Sequence, residues 1–144
     1  QTFLFVLLNN KLCLNIGHIG IKFTIVDGID TGTLINIMSF YPLEKISNIA
    51  EGYLKRFDVN GRDMLLVNSG GNTCLIDNRC PHDGSSLVRA RVAKGCLQCP
   101  KHKIVFRLDD GLPLGGDAVE GIDALSRIEL VIQGDMIGVF LTDR

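Results

Sequence analysis

Cys80-Pro81-His82 and, after sixteen intervening residues, Cys99-Pro100-Lys101-His102 decide the reading of this chain. Two cysteines and two histidines arrive as matched pairs, each compact enough to occupy one loop. Thiolates are soft anionic donors, imidazoles are neutral, and iron in a sulfide-bridged cluster accepts both. With one thiolate pair and one imidazole pair, an oxidised 2Fe–2S unit carries no net charge. A four-cysteine cluster is more negative and resists reduction more strongly, so the mixed donor set raises the potential. A single zinc ion could also be closed by two Cys and two His. Zinc modules commonly use C-x-x-C with H-x-x-x-H, not C-x-H with C-x-x-H, so a zinc-stabilised binding module is the lesser reading.

The spacing resembles the signature of the Rieske family, in its soluble, dioxygenase-ferredoxin-like form. Cys80-Pro81-His82-Asp83-Gly84 resembles the first cluster loop. His102 to Leu108, followed by Asp110-Gly111 and Pro113, resembles the second loop running into a strand. Glu51-Gly52, the run from Arg56 to Val59 and Met64 to Val67 look like the opening strands, and Ile128 to Leu141 like the closing hairpin. The resemblance covers roughly residues 39–142 and implies an all-β, Rieske-type fold of stacked antiparallel sheets with a small cluster-binding subdomain. It further implies a 2Fe–2S cluster with Cys80 and Cys99 on an inner iron and His82 and His102 on an outer one near solvent. Pro81 and Pro100 would stiffen the loops and remove backbone donors beside the sulfurs. Gly84 would permit a turn that a side chain blocks.

Departures from the family pattern narrow the expectation. The respiratory and photosynthetic type bridges its ligand loops with a disulfide, where this chain has Ser85 and Lys101. That type also donates to the cluster from a serine and a tyrosine, where Ile104 and Phe106 stand here. Fewer donors stabilise the reduced state less, so the potential is expected toward the low end of the Rieske range. Lys101 places a cation beside the cluster, which works partly the other way. Lys103 occupies a position where the family usually has glycine. Oxygenase-type relatives hold a second iron through two histidines and a carboxylate. Only three histidines occur here, and His18, the one outside the ligand set, reads as incidental. The resemblance therefore implies a one-electron carrier between a flavoprotein reductase and a terminal oxygenase or similar enzyme. The alternative is the non-catalytic small subunit of an assimilatory nitrite reductase.

Composition agrees. A formal net charge of −1 excludes a generally basic nucleic-acid binder. From Arg79 to Arg107 there are seven basic residues and one acidic, Asp83, whereas from Leu108 onward eight acidic residues face two basic ones. A carrier docking through its cationic cluster end would meet an acidic partner surface, with steering that weakens in salt. Five cysteines do not make a disulfide framework in a chain of 144 residues. Cys74 reads as a small core residue and Cys96 as structural despite its C-x-x-C spacing to Cys99. A reducing, cytoplasmic compartment follows as the economical expectation.

Residues 1–37 do not resemble the family. The apolar run from Thr2 to Leu8 is too short to span a bilayer, so no membrane partner is expected. The stretch reads as an extension of uncertain status, upstream sequence rather than an added strand pair, with the Rieske domain over 38–144. Strands are expected over 54–59, 64–68, 73–77, 104–108, 128–132 and 136–141, with Asn60-Gly61 as a hairpin turn. Helix is expected only as a turn or two within 44–50.

Overall fold

A computed structural model describes residues 5–8, 11–12 and 36–142, with side chains from residue 38 onward except 117 and 118. The expectations for Cys13, His18 and most of residues 1–37 lie outside the described residues. In chain order the strands begin with β1 (Phe5–Leu8), β2 (Lys11–Leu12), β3 (Asn36–Lys45), β4 (Tyr53–Val59), β5 (Arg62–Ser69) and β6 (Asn72–Asp77). They continue with β7 (Arg91–Ala93), β8 (Cys96–Gln98), β9 (Val105–Arg107), β10 (Pro113–Leu114), β11 (Arg127–Ile128), β12 (Val131–Gln133) and β13 (Met136–Thr142). Helix among the described residues is confined to two short 3-10 turns, Ile46–Asn48 and Gly116–Val119. The fold is all-β, as expected.

The chain divides into two compact units, residues 1–41 with 140–144, and residues 42–139. In the first, β1 pairs antiparallel with β2 and with β3, Phe5 opposite Met38. The Phe40 and Phe140 rings pack at 5.5 Å between centroids.

The second unit holds the site. Its base sheet has the order β11-β6-β5-β4 and its other four-stranded sheet the order β10-β9-β8-β7. Local turn chemistry sets the hairpins. Asn60-Gly61, Gly70-Gly71 and Lys94-Gly95 each supply two consecutive positive-φ residues between paired strand ends. That is the type I′ geometry whose twist matches a two-residue hairpin. Strand β5 is buried on both faces: Met64, Leu65, Leu66 and Val67 are all inaccessible to solvent. Leu65 and Val67 join Cys74, Ile76, Leu87, Leu97, Phe106, Leu108, Leu125 and the ligand candidates Cys80 and Cys99 in one apolar core. Burial of a side chain such as Leu97 or Phe106 stabilises the fold by about 1.5–3 kcal/mol.

One expected strand is divided. The run from Ile128 to Ile132 breaks at Glu129-Leu130, so that β11 pairs with β6 while β12 pairs with β13. An apolar run cannot by itself reveal that its two ends have different partners. Strand β3 and the short strands β7, β8 and β10 also went unforeseen; in the short ones, two or three residues carry no readable alternation.

Candidate metal centre

Two loops of the second unit converge. The first follows β6 and the second follows β8, and their backbones close in the same way. Cys80 N donates to Ser85 O at 2.8 Å while Cys80 O accepts from Gly84 N at 2.8 Å. Cys99 N donates to Ile104 O at 2.8 Å while Cys99 O accepts from Lys103 N at 3.1 Å. Each cysteine therefore starts a self-closed turn, with both of its backbone polar groups satisfied. The fourth residue after each cysteine is left-handed: Gly84 has φ 75° and Lys103 has φ 63°. This explains why glycine suits that place, and Lys103 holds the conformation at some cost. Its carbonyl accepts from Gln98 Nε2 at 3.1 Å and its Nζ donates to Pro100 O at 2.8 Å.

The four candidate donors sort by depth. Cys80 and Cys99 are almost wholly buried and free of disulfide, and their sulfurs are near enough to act on one another electrostatically. Burial, with a smaller contribution from the neighbouring sulfur, pushes the Cys80 thiol above its ordinary pKa. Loss of that proton to a metal is then part of metal binding. His82 and His102 are exposed, with ring centroids 4.5 Å apart and Nδ1 atoms 3.3 Å apart. Two nitrogens bound to one tetrahedral ion at about 2.0–2.1 Å lie about 3.3–3.4 Å from each other. The imidazole pair is thus spaced for one metal.

The sulfurs are not spaced for that same metal. Among the described residues, the only group of three or more His, Cys, Asp or Glu donors with atoms within 4.8 Å of one another is His82, Asp83 and His102. No three of Cys80, Cys99, His82 and His102 meet that distance. A mononuclear zinc site needs all four within tetrahedral edges of about 3.3–3.8 Å. A buried sulfur pair set apart from a surface nitrogen pair suits two irons bridged by sulfide, one pair to each. The donor set therefore fits a 2Fe–2S cluster better than zinc.

A model of the Rieske [2Fe-2S] domain matches residues 39–125. The chain belongs to the Rieske [2Fe-2S] domain family. This Rieske chain is similar to mouse (Mus musculus) apoptosis-inducing factor 3, 22% identical over 94 residues, covering 65% of this chain and 15% of that protein. It is similar to the ferredoxin component of the alkene monooxygenase system of Xanthobacter autotrophicus, 31% identical over 67 residues, covering 46% of this chain and 55% of that protein. Among solved structures it is similar to the ferredoxin of carbazole 1,9a-dioxygenase from Nocardioides aromaticivorans IC177. That likeness has a TM-score of 0.58 at 22% identity, covering 69% of this chain and 95% of the other. The chain thus spans little more than half, or much less, of the curated relatives it matches. As a Rieske domain it carries a 2Fe–2S cluster.

Around the Rieske loops the charges pair in ways the sequence alone did not reveal. Lys101 Nζ donates to Asp83 Oδ2 at 2.8 Å, and the same oxygen lies 3.6 Å from His102 Nε2. Asp83 also accepts from Ser85 Oγ at 2.6 Å and Ser85 N at 3.0 Å. The Lys101 ammonium, then the Ser85 hydroxyl and amide, hold the Asp83 carboxyl well below the usual carboxylate range. The cation expected beside the cluster is therefore countered by a carboxylate. Asp83 went unnoticed as a partner because nothing in the sequence links it to Lys101, although its place next to His82 was a signal. Asn78, nearly buried, was also missed. Its Oδ1 accepts from Leu87 N at 2.8 Å and Ser86 Oγ at 3.0 Å, and its Nδ2 donates to Asp63 Oδ2 at 3.0 Å. It ties the segment after the first loop to the base sheet.

The cationic segment is partly neutralised. Arg107 is bound by Asp110, Lys101 by Asp83, and Arg79 lies close enough to Asp63 and Asp77 to lower the pKa of both. Arg89, Arg91 and Lys94 have no carboxylate partner among the described residues. Cys74 is buried in the core as expected, and Cys96 sits half-buried opposite Arg107 in the β8–β9 pair. Ile104 and Phe106 pack in and against the core, Phe106 with no accessible surface. No described helix is long and apolar enough to cross a membrane.

Proposed function

We propose that this chain is a one-electron carrier, taking electrons from a flavoprotein reductase and passing them to a terminal oxygenase or similar enzyme. Cys80, His82, Cys99 and His102 hold the cluster in this reading. The observation that carries it is the separation of a buried thiol pair from an exposed imidazole pair. When bound, the 2Fe–2S group supplies the exchange of a single electron. The chain's own residues do the rest. Cys80 and Cys99 hold their end dry within the apolar core, and His82 and His102 bring theirs to the surface, where a partner reaches it. Arg89, Arg91 and Lys94, which have no carboxylate partner among the described residues, favour a partner with an acidic docking face. The names of the two similar ferredoxins, components of monooxygenase and dioxygenase systems, support a terminal oxygenase as acceptor. Free thiols at Cys74 and Cys96 suit a reducing, cytoplasmic setting.

Electron paramagnetic resonance of the anaerobic, dithionite-reduced protein, with iron and acid-labile sulfide counts, tests the ligand set. A rhombic signal of low average g is the expected result. Zinc in place of iron, with no signal, overturns the assignment. Reoxidation by an oxygenase, slowing as salt rises, is expected of the carrier, whereas stable co-purification with a large sirohaem enzyme would favour the nitrite reductase subunit.

A further inference from the structure

The two ligand loops have no backbone hydrogen bond between them. The backbone bonds that close each ligand turn join it to its own cysteine, Cys80 with Gly84 and Ser85, Cys99 with Lys103 and Ile104. What spans the gap is side chains: the neighbouring Cys80 and Cys99 sulfurs, the His82–His102 ring contact, and Asp83 reaching to Lys101 and toward His102. Of these only Asp83–Lys101 is a charged hydrogen bond at contact distance, 2.8 Å.

We propose that Asp83 and Lys101 form a noncovalent clasp that holds the two ligand loops closed over the cluster and slows its loss. The inference rests on the ligand assignment above. Three features make the pair more than a chance surface contact. Asp83 is pre-oriented, because Ser85 Oγ and N fix its carboxylate from within its own loop. Its side chain retains only 22% of its accessibility, against 63% for Lys101, so the acceptor is built into the site and the cation reaches over to it. Lys101 and Asp83 also each neighbour a ligand, His102 and His82, so opening the pair frees both histidine-bearing turns together. Asp83 and Lys101 are positioning residues, since neither is a proposed ligand.

The test is the rate of cluster loss, read as the fading of visible absorption of the anaerobic holoprotein after an iron chelator is added. Wild type is compared with Lys101→Met, Lys101→Arg, Asp83→Asn and the Lys101→Met, Asp83→Asn double variant. An exposed ion pair of ordinary strength predicts loss about two- to fivefold faster in each neutralised single variant. Lys101→Arg keeps the charge and should lose its cluster at the wild-type rate. The double variant should be no faster than the singles, because the interaction can be removed only once. Multiplying effects in the double variant, or wild-type rates in the singles, would overturn the clasp alone. A wild-type protein purified without iron and sulfide would instead overturn the ligand assignment and the clasp with it.

Discussion

Gly70 and Gly95 meet backbone to backbone: a Cβ added to Gly70 would lie 2.8 Å from both the Gly95 Cα and the Gly95 N. Gly70 is at the β5–β6 turn of the base sheet, and Gly95 at the β7–β8 turn of the sheet that leads into the second ligand loop. Ser69 seals the joint, donating from Oγ to Glu51 Oε1 at 2.5 Å and accepting from Gly95 N at 3.1 Å. The relation is one-sided, since a Cβ on Gly95 would find its nearest neighbour at 3.9 Å. Both glycines have positive φ, so alanine costs each about 1–2 kcal/mol. Gly70→Ala adds the backbone clash and is expected to lose about 2–4 kcal/mol in denaturant titration, clearly more than Gly95→Ala. Equal losses would show that the two sheets part without strain.

Asn78 predicts a second sensitivity. Asn78→Ala removes the acceptor of the buried Leu87 N–H, and an orphaned buried donor costs about 1–3 kcal/mol. Stability should fall by about that amount, and cluster loss should quicken because the segment after the first loop is released. Thermal melts of the apoprotein separate the two effects.

Lys103 is strained where Gly84, its counterpart in the other loop, is not. Lys103→Gly is expected to raise stability by about 0.5–1 kcal/mol, the left-handed penalty reduced by the greater entropy of glycine when unfolded. A loss of stability would mean that the Lys103 Nζ bond to Pro100 O outweighs the backbone term.

His82→Cys or His102→Cys adds a negative ligand, so the reduced state becomes less favourable. The wild-type potential is expected toward the low end of about −150 to +300 mV, and each variant below it. Voltammetry of wild type and variant decides; an unchanged potential and spectrum would remove that histidine from the ligand set.

Glu44 gives the pH prediction. It accepts from Lys55 Nζ, Asn48 Nδ2 and Tyr53 OH, each at 2.8 Å. The Lys55 ammonium first, then the Asn48 amide and the Tyr53 hydroxyl, lower its pKa from 4.5 to about 2. A depressed carboxylate pKa stabilises the fold fully above the unfolded value and loses that contribution as pH falls from about 4.5 through about 2. Glu44→Gln should therefore be less stable than wild type at neutral pH. The difference between the two proteins should shrink across that window, as read by denaturant midpoints in parallel.

The residues from Cys80 to His102 made the proposed donor set, its spacing and the family resemblance legible by themselves, because ligand chemistry and loop length are local properties of the chain. The same locality made Asn60-Gly61 and the strands around it readable, since the sign of φ and the alternation of apolar residues are written within a few neighbours. Tertiary structure alone decided the rest. It split the run from Ile128 to Ile132 between two partners, set Gly70 against Gly95 and brought Asp83 of one loop to Lys101 of the other. Burial of the thiols and exposure of the imidazoles follow the inner and outer placing that the resemblance implied; the partnerships of strands, of glycines and of Asp83 do not. These depend on which distant segments share a core, and a pair of residues eighteen or more apart in sequence carries no local mark of its contact.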